Sequence, residues 1–554
     1  MKKLFLLTLF LLLSLSGKTQ NLYLKIEGNS ATQSTLIDSI GYQSKHNNTK
    51  SILDESHNLS NTLLKIGYLE NHLRDQKKVN DSTFLFQYDL GKKTNRIHIY
   101  TKNNNTTVRE LLNLNKDTLT ISLSEVEDFM NTTILLLEKK GYSLSSIQLI
   151  NHKKHQNALY AELKIDTEKK RILDDIIIAG YPKFPEGIRK NIVRQNRKRI
   201  FNQDNLKQIH SNFNALPFVN QIKYPEILFT TDSTKVYVYL EKARPNRFDG
   251  FVGFSNDDSG SVKFNGYLDL LLNNILNAGE KFNLYWKNDG KEQTTFTIGA
   301  EIPYLFKSPL GIKGSLKIFK QDSTFQNTSS DINLGYYFNY NSKVFLGYQE
   351  TESVDIQKAN SSSLSNYTNS FITGTYEYTQ YNPEDFLFPE KTSFFLRAGI
   401  GSRKTKAENN DQYYLQLNAS HNIYLNRRNI FNIRNQTFYL QSDHYIINEL
   451  YRFGGINSIR GFNENSLQAS LASSLLIEYR YILASNIYVH SITDFTYFED
   501  KITNLKDNLL GLGFGFGLLT KTGLFNIIYA NGSAKNNEIQ LSNSIIHISF
   551  KTRF

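Results

Sequence analysis

The apolar and polar positions of the chain follow two different patterns, which change near Arg244-Pro245. Before this point, strand-length and helix-length patterns alternate in the order strand, two helices, strand, strand, about three times with a period of about 75 residues. After it, helical periodicity almost disappears, and strand-length segments are separated by turns rich in Asn, Asp, Gly and Ser. The pattern predicts small α+β modules followed by a large all-β domain.

Each of the repeating units is predicted to be a small module whose helices cover one face of a sheet. The helix of the second unit has a clear start, because Ser122 followed by Glu125 is the signature of a capping box. Three unrelated α/β modules would give almost the same pattern, so that alternative stays open. The predicted module bounds are 21–94, 95–169 and 170–243.

The all-β domain, residues 246–554, contains sixteen segments, most of them about 10 residues long, the length that a tilted strand needs to cross a bilayer. The last is the clearest, because Ile546, Ile548 and Phe550 share one face and His547 and Ser549 the other. A strand with lipid outside and water inside has this pattern. The segments are 247–256, 261–272, 279–288, 292–302, 309–320, 331–340, 342–351, 369–380, 391–403, 412–423, 430–442, 468–480, 485–498, 508–518, 523–531 and 544–553.

The N-terminus has the features of a secretory signal peptide. Lys2 and Lys3 precede an apolar stretch from Leu4 to Leu15, and small residues follow it. Residues 1–20 are therefore assigned to a signal peptide, and the rest of the chain is expected to fold outside the cytoplasm. A single N-terminal anchor helix is the weaker alternative, because the apolar stretch is short. No other run approaches the roughly 18 to 20 apolar residues of a membrane-spanning helix.

The sixteen segments favour a closed transmembrane β-barrel over a soluble β-sandwich. A sandwich would also alternate, but its polar side would face bulk water and its sheets would leave edges. The even strand number, the export signal and the 33 tyrosines and 37 phenylalanines, which suit interfacial girdles, favour the barrel. A sheet that spans a bilayer must close, because unpaired backbone groups in lipid are costly.

Composition excludes several kinds of chemistry and separates the two regions. The 554 residues include no cysteine, which excludes a disulfide framework, a thiolate zinc site, an iron–sulfur cluster and a cysteine nucleophile. The mean hydropathy of −0.43 is expected if half of each strand faces water. Residues 21–245 carry 33 basic and 24 acidic residues, whereas residues 246–554 carry 28 of each. The basic excess of the front region indicates a different partner or solvent.

No catalytic, cofactor-binding or metal-binding residue is assigned. The segment GLGFGFG at 511–517 lacks the lysine and the helix of a phosphate-binding loop, and alternates like a strand packed against a close neighbour. No G-x-S-x-G nucleophile elbow, H-E-x-x-H sequence or clustered carboxylate–histidine set is present. A catalytic triad scattered inside the barrel stays open as an alternative.

A long loop between the eleventh and twelfth segments, about 443–467, contains the most specific motif, YRFGGINSIRGF. Its centre consists of Gly454, Gly455, Arg460, Gly461 and Phe462. This loop resembles the long-loop motif of the BamA/TamA superfamily of outer-membrane insertases and two-partner secretion transporters. The segments LLIEYRY, HSITDFTYF and GLGFGFGLLTKTGLFNIIYA resemble the strands that follow the loop in that family. The resemblance covers essentially the whole mature chain.

The resemblance implies periplasmic POTRA domains, each built strand, two helices, strand, strand, followed by a transmembrane antiparallel β-barrel of sixteen strands. A loop folded into the lumen requires acidic partners for Arg460, and alternation places Glu478 and Asp494 on inward faces as the predicted partners. Thr496 departs from the pattern of the family, which usually has a glycine at this position. The alternative is a surface arginine in an extracellular loop, with a contribution of about 0–1 kcal/mol.

A basic cluster lies in the third predicted module, next to the barrel. Such a cluster suits the phosphates of phospholipid headgroups, although a solvated helix face explains it equally well. Nucleic acid is not an expected partner, because an exported protein rarely meets any. The cluster consists of Arg189, Lys190, Arg194, Arg197, Lys198 and Arg199.

The sequence thus favours a non-enzymatic assembly or translocation factor in the outer membrane of a Gram-negative bacterium, with its modules in the periplasm. Its expected partners are unfolded outer-membrane or secreted client proteins bound by β-augmentation, outer-membrane lipids, and accessory periplasmic proteins or lipoproteins. Phe550 and Phe554 are the predicted C-terminal strand signal. The alternatives are a two-partner-secretion-type transporter for one dedicated protein and, less favoured, a porin or an outer-membrane enzyme.

Overall fold

The computed structural model describes residues 21–104, 106–256, 262–288, 293–322, 324–357, 364–382, 385–521, 523–535 and 544–553. The predicted signal peptide and Phe554 lie outside the described residues. Within the described residues, no helix is long and apolar enough to cross a membrane. The chain divides into two compact units, residues 1–172 with 200–204 and residues 173–199 with 205–554.

The first unit begins with an α+β module whose sheet has the order β2-β1-β4-β3. Strands β1 and β4 are parallel, and β3 pairs antiparallel with β4. The side chain of Asn48 accepts a hydrogen bond from Ser51 N and so caps the second helix, whose Ile52, Leu59 and Leu63 are buried against the sheet. The elements are β1 (Leu22–Gly28), α1 (Ala31–Ile40), β2 (Lys45–His46), α2 (Thr49–Lys65), β3 (His72–Lys78) and β4 (Thr83–Asp89).

The second module repeats this arrangement, with the sheet order β6-β5-β8-β7 and a parallel β5–β8 pair. The predicted capping box is present, because Glu125 Oε2 accepts a hydrogen bond from Ser122 N at 3.2 Å. The elements are β5 (Arg96–Tyr100), α3 (Thr106–Leu111), β6 (Thr118–Ser122), α4 (Val126–Lys139), β7 (Ser146–His155) and β8 (Ala158–Asp166).

A third module precedes the barrel, and all of it except residues 200–204 belongs to the same compact unit as the barrel. Its first and last strands, β9 and β12, are again parallel, and β12 also pairs antiparallel with β10 and β11. The elements are β9 (Asp175–Ala179), α5 (Glu186–Asn196), α6 (Gln203–Asn214), β10 (Val219–Gln221), β11 (Glu226–Phe229) and β12 (Thr234–Lys242). Three strand–helix–strand modules therefore precede the barrel, and their exact bounds stay a prediction.

The remaining strands form a closed sixteen-stranded antiparallel barrel, as predicted. They are β13 (Arg247–Asn256), β14 (Val262–Asn273), β15 (Lys281–Asn288), β16 (Gln293–Ile302), β17 (Leu310–Gln321), β18 (Phe325–Asn339), β19 (Ser342–Asp355), β20 (Tyr367–Tyr381), β21 (Glu390–Thr405), β22 (Asn409–Tyr424), β23 (Asn429–Gln441), β26 (Leu471–Ala484), β27 (Ile487–Asp500), β28 (Leu505–Leu519), β29 (Gly523–Ser533) and β30 (Ile545–Arg553). The short strands β24 (Tyr451–Phe453) and β25 (Leu467–Ala469) pair only with each other, inside the long loop.

The two faces of the barrel wall have opposite character. Outward residues such as Ile332, Leu346 and Ile400 are apolar and 65–68% exposed, whereas inward residues such as Asn333 and Thr373 are polar and buried. An apolar exterior around a polar interior is the pattern of a barrel surrounded by lipid.

The barrel closes through a short seam between β13 and β30. The described register contains two residue pairs there, Arg247 with Arg553 and Phe248 with Thr552. The other neighbouring strands of the barrel share at least eight pairs each, for example in β29–β30. Beyond these two pairs, the described parts of β13 and β30 show no strand pairing with each other.

The third module identifies the periplasmic end of the barrel. The chain passes from β12 to β13 within residues 243–246, so the module adjoins the end where β13 begins. Short connections lie at this end, such as 340–341 and 485–486, whereas the long connection 442–470 lies at the other. Outer-membrane barrels place their short turns in the periplasm, and the exported modules therefore lie there too.

The hydrophobic pattern missed the edge strands of the modules. None of the residues of β3 is buried, and the second half of β7 is exposed on both faces. A strand that buries neither face shows no alternation of apolar and polar residues, although its backbone pairs normally.

Candidate functional site

The long loop, residues 442–470 and here called the lumen loop, folds into the barrel rather than away from it. Its hairpin of β24 and β25 carries Phe453 and Ala469, which are buried with Ala472, Phe498 and Leu509 of the wall. The loop is therefore packed through its own apolar residues against strands β26 to β28.

Arg460 is a deeply buried charge of the lumen loop, with 1% of its surface exposed. Its Nε donates to Asp494 Oδ2 at 2.7 Å, and its backbone N donates to the same oxygen at 3.0 Å. Its two terminal nitrogens donate to Asp494 and to Glu478. The guanidinium thus joins two adjacent wall strands, β26 and β27, in a charge-assisted, partly bidentate arrangement.

Two further guanidinium groups and an imidazole surround Glu478. Arg480 Nε donates to Glu478 Oε2 at 2.8 Å, Arg434 Nη2 donates to Oε1 at 3.4 Å, and His490 Nδ1 lies 3.9 Å from Oε2. Glu478 and Asp494 therefore each accept hydrogen bonds from at least one arginine side chain. Buried charges are tolerated only when they are paired in this way.

The lumen loop approaches the wall backbone at glycines. Gly461 has φ +89°, and a Cβ added to it would lie 2.4 Å from the carbonyl carbon of Asn531. A Cβ on Gly511 would lie 2.3 Å from Arg460 O, and one on Gly532 would lie 2.5 Å from Gly461 O. These three glycines allow direct contact of the loop backbone with β28 and β29. Gly511 lies in the glycine-rich segment that the sequence analysis assigned to a strand packed against a close neighbour. The sequence analysis did not predict that this neighbour is the backbone of Arg460.

Gly454, Gly455 and Phe462 shape the loop itself. The two glycines have φ +110° and +95°, and a Cβ on Gly454 would lie 2.4 Å from Asn463 O. Phe462 packs on the apolar cluster that holds Phe453. The residues at the centre of the motif therefore either bind the wall or set the turn that brings Arg460 to it.

A second ion pair, which was not predicted from the sequence, also anchors the lumen loop. In this pair the carboxylate belongs to the loop and the guanidinium to the wall. Glu449 of the loop accepts hydrogen bonds from Arg403 on β21 and from Gln412 on β22, the latter at 2.8 Å. Arg403 also donates to His444 O at 3.1 Å and to Glu408 at 3.0 Å, and it is fully buried. Alternation indicates that Arg403 faces inward, but no local signal selects Glu449 as its partner.

The lumen loop reaches other parts of the wall as well. Asn448 Nδ2 donates to Ser353 Oγ at 2.7 Å, and Asn448 O accepts from Asn327 on β18. Glu464 pairs with Lys287 on β15. Together with the ion pairs of Arg460 and Glu449, these contacts connect the loop to wall strands on several sides of the lumen. A cavity of about 480 Å³ remains beside it.

Thr496, which departs from the family pattern, is accommodated without an unpaired hydroxyl. The residue is fully buried, and its Oγ1 donates to Ser474 Oγ at 2.7 Å. The departure therefore does not disturb the strand that carries Asp494.

The other predicted residues lie elsewhere in the structure. Phe550 points outward on β30 with 37% of its surface exposed, while Phe554 lies outside the described residues. Arg189, Lys190 and Arg194 lie on α5, and Arg197 and Lys198 follow it; all five line one cavity. Arg199 is exposed but is not part of the lining. In the described part of the chain, no group of three or more His, Asp or Glu is placed to hold a metal ion.

Comparison with solved structures identifies the fold. CdiB from Acinetobacter baumannii aligns with a TM-score of 0.51 at 14% identity, over 82% of this chain and 89% of that one. CdiB from Escherichia coli aligns with a TM-score of 0.51 at 12% identity, over 91% and 97%. This chain has the same fold as CdiB. BamA from Haemophilus ducreyi lacking POTRA domains 1–3 gives a TM-score of 0.48 at 14% identity, over 82% and 99%.

Neither a protein-family model nor a curated protein sequence matches the chain. The CdiB-like fold, the apolar exterior and the closed wall place the protein in the outer membrane, with POTRA-like modules in the periplasm.

Replacing Arg460 by alanine is expected to leave an assembled barrel with a loosened lumen loop and impaired function in cells that need the protein. Glu478 and Asp494 would lose a shared partner, and breaking a buried pair costs about 3–5 kcal/mol, while the strand ladders stay intact. Heat-dependent migration on gels measures assembly, and complementation measures function. Arg427→Ala, at an exposed turn position, is the control. Normal complementation by Arg460→Ala would contradict a functional role.

Replacing Gly461 by alanine is expected to displace the lumen loop, because the new Cβ would overlap the backbone of β29. A cysteine in place of the buried Ser458 reports on this change in a chain that has no other cysteine. Its labelling by a soluble maleimide should be faster in Gly461→Ala. Gly374→Ala is the matched control, since a Cβ there would meet nothing within 4 Å. Equal labelling of both variants would show that Gly461 does not fix the loop.

Proposed function

We propose that this protein is a non-enzymatic outer-membrane assembly factor that receives unfolded client proteins in the periplasm and inserts them through the seam of its barrel. The single observation that carries the proposal is the seam between β13 and β30, with two described residue pairs. The superfamily fold supports the broader class of insertase or transporter, and the seam favours the insertase within it.

The short seam has a direct energetic consequence. Strand edges in a bilayer leave N–H and C=O groups without water, at a cost of several kcal/mol for each unsatisfied group. A client strand that pairs with the free edge of β13 or β30 would satisfy these groups by β-augmentation. The outward Ile546 and Ile548 of β30, more than half exposed, offer the new strand a continuous apolar face toward lipid.

The modules offer sheet edges for earlier contact with a client. β3 is the last strand in the first sheet and β7 in the second, and side chains on both are largely exposed. An extended client segment can add to such an edge through main-chain hydrogen bonds, with little demand on its sequence. We include outer-membrane lipids and accessory periplasmic proteins or lipoproteins among the proposed partners.

The second candidate is a transporter that exports one dedicated protein, as in two-partner secretion. The observation that favours it is the lumen loop, which occupies a sixteen-stranded barrel through polar and charged contacts that can be exchanged for water. Displacement of this loop would open a polar path. In that case the lumen, rather than the seam, is the route of the client.

A disulfide across the seam is expected to block insertion. Phe248→Cys with Thr552→Cys places the thiols on paired residues of β13 and β30 in a chain without cysteine. The assay follows folding of a urea-denatured eight-stranded barrel into vesicles that contain the purified protein. The oxidised variant should lose most activity and regain it on reduction.

The matched control for this lock is Ser329→Cys with Thr351→Cys, because those hydroxyls lie 2.9 Å apart across β18 and β19, away from the seam. This disulfide should leave insertion unchanged in both redox states. Undiminished insertion by the oxidised seam variant, with its disulfide verified by mass, would refute lateral opening.

Depletion of the protein separates the two candidate functions. An assembly factor should cause loss of several barrel proteins from the outer membrane, because each would need the seam. A dedicated transporter should cause loss of one secreted protein while the barrels remain. Quantitative proteomics of outer membranes and culture medium measures both, and loss of a single secreted protein would reject the assembly proposal.

A further inference from the structure

The junction of the third module with the barrel contains a basic cavity of about 800 Å³. Six of its lining residues are basic, and two, Asp174 and Asp175, are acidic. The basic residues are Arg189, Lys190, Arg194, Arg197, Lys198 and Lys307. Five come from α5 and the chain after it, and Lys307 comes from the connection between β16 and β17. The cavity is therefore assembled from the module and the barrel together.

Most of these cations are available to a ligand. Arg189 is engaged, because it donates to both oxygens of Glu186 at 2.9 Å, and this guanidinium lowers the pKa of the Glu186 carboxyl. For Lys190, Arg197 and Lys307, the described residues include no carboxylate within 4 Å. The cavity thus holds an excess of positive charge that the protein does not neutralise.

The chain after α5 is held in a conformation that side chains rarely adopt. Lys198 has φ +63°, and its backbone N donates to Leu173 O at 2.8 Å. The preceding Arg197 N donates to Val193 O at 2.7 Å. These bonds fix the two basic residues at the rim of the cavity, and such strained positions cluster at ligand sites.

Helix α5 is docked directly onto the barrel turn 303–309. The buried Asn191 donates from Nδ2 to Lys307 O and Ser308 O, both at 3.2 Å. Gly187 allows the close approach, since a Cβ there would lie 3.1 Å from Tyr304 Cβ. The basic face of α5 is therefore held at a fixed height on the barrel wall.

The same turn presents an aromatic side chain to the outside of the barrel. Tyr304, Phe306 and Lys307 all have positive φ, between +51° and +62°, and Phe306 is 99% exposed. The adjacent wall residues Ile302 and Leu310 face lipid and are 42% exposed. A strained turn with a fully exposed phenylalanine beside an apolar wall is explained if this ring lies in lipid.

Other periplasmic turns and strand ends carry exposed apolar residues at the same end of the barrel. A monomeric protein in water rarely exposes so much apolar surface, so this belt of apolar residues marks the level of the periplasmic surface of the outer membrane. The residues, with their exposed fractions, are Leu276 at 78%, Phe386 at 70%, Leu425 at 62% and Leu483 at 52%.

We propose that the cavity binds the phosphate headgroup of an anionic phospholipid in the periplasmic leaflet, with Phe306 among its acyl chains. Lys190, Arg197, Lys198 and Lys307 bind the headgroup, and Ile302 and Leu310 continue the contact along the wall. Basic residues at a membrane surface attract anionic lipids, and the belt of exposed apolar residues at the periplasmic end places this cavity at that surface. The site requires the barrel to lie in a membrane and is independent of the proposed client.

Fluorescence quenching by brominated lipids tests the site in the full-length protein. Trp286→Phe removes the one tryptophan of the chain, and Phe306→Trp then reports on the lipid next to the cavity. The protein is placed in phosphatidylcholine vesicles that contain a minor fraction of brominated phosphatidylglycerol. Quenching should exceed the value for a random lipid mixture, whereas brominated phosphatidylcholine at the same fraction should quench at the random value.

Two matched double variants separate the cavity from general positive charge. Lys190→Gln with Arg197→Gln removes two exposed cavity cations and should lower the preference for phosphatidylglycerol by about tenfold or more. Lys183→Gln with Arg199→Gln removes the same charges from exposed positions outside the lining and should preserve it. Heat-dependent gel migration verifies that both variants are folded.

Three outcomes would overturn the proposal. Equal preference in the two double variants would show that the cavity is not the site. Absence of quenching by either brominated lipid would place residue 306 outside the bilayer. If soluble glycerol 1-phosphate abolished the preference at low millimolar concentration, the cavity would be a site for a free phosphate ester rather than for lipid. Loss of client insertion in the seam-locked variant would leave the lipid result unchanged.

Discussion

Backbone hydrogen bonding in the bilayer is the constraint on which this structure depends. Water is absent from the hydrocarbon core, so each N–H and C=O group of the wall must pair with a neighbouring strand. Fifteen of the sixteen strand junctions satisfy this requirement over eight or more residue pairs, and the β13–β30 junction does so over two. The requirement that closes the barrel therefore also makes this seam the place where an added strand would lower the free energy most.

The polar lumen follows from the same geometry, because a strand with one face toward lipid turns its other face inward. Charged side chains on that face need partners of opposite charge, and the lumen loop provides both a cation, Arg460, and an anion, Glu449. Arg460 binds Glu478 and Asp494 of the wall, and Glu449 binds Arg403 of the wall. These buried ion pairs are weak evidence for net stability, since desolvation offsets much of their attraction, but their geometry defines one position of the loop in the lumen.

Local patterns in the sequence predict the wall well, and the modules less well. All sixteen barrel strands were located because each has a lipid side and a water side, and this alternation needs no knowledge of the partner strand. Edge strands β3 and β7 were missed because they bury neither face along most of their length. In the site, alternation and the loop motif together predicted Glu478 and Asp494, whereas Gly532 and the Arg403–Glu449 pair were not found, since their partners lie 46 to 71 residues away in the chain.

The sequence by itself determined the division into modules and barrel, the strand number, and the inward direction of Glu478 and Asp494, because these depend on spacing along one strand. Only the tertiary structure decided the length of the seam, the second anchor of the lumen loop, and the cavity that α5 shares with the turn at Lys307. Each of these depends on the distance between segments far apart in the chain. Such distances are set by closure of the barrel and by docking of α5, which no local pattern records.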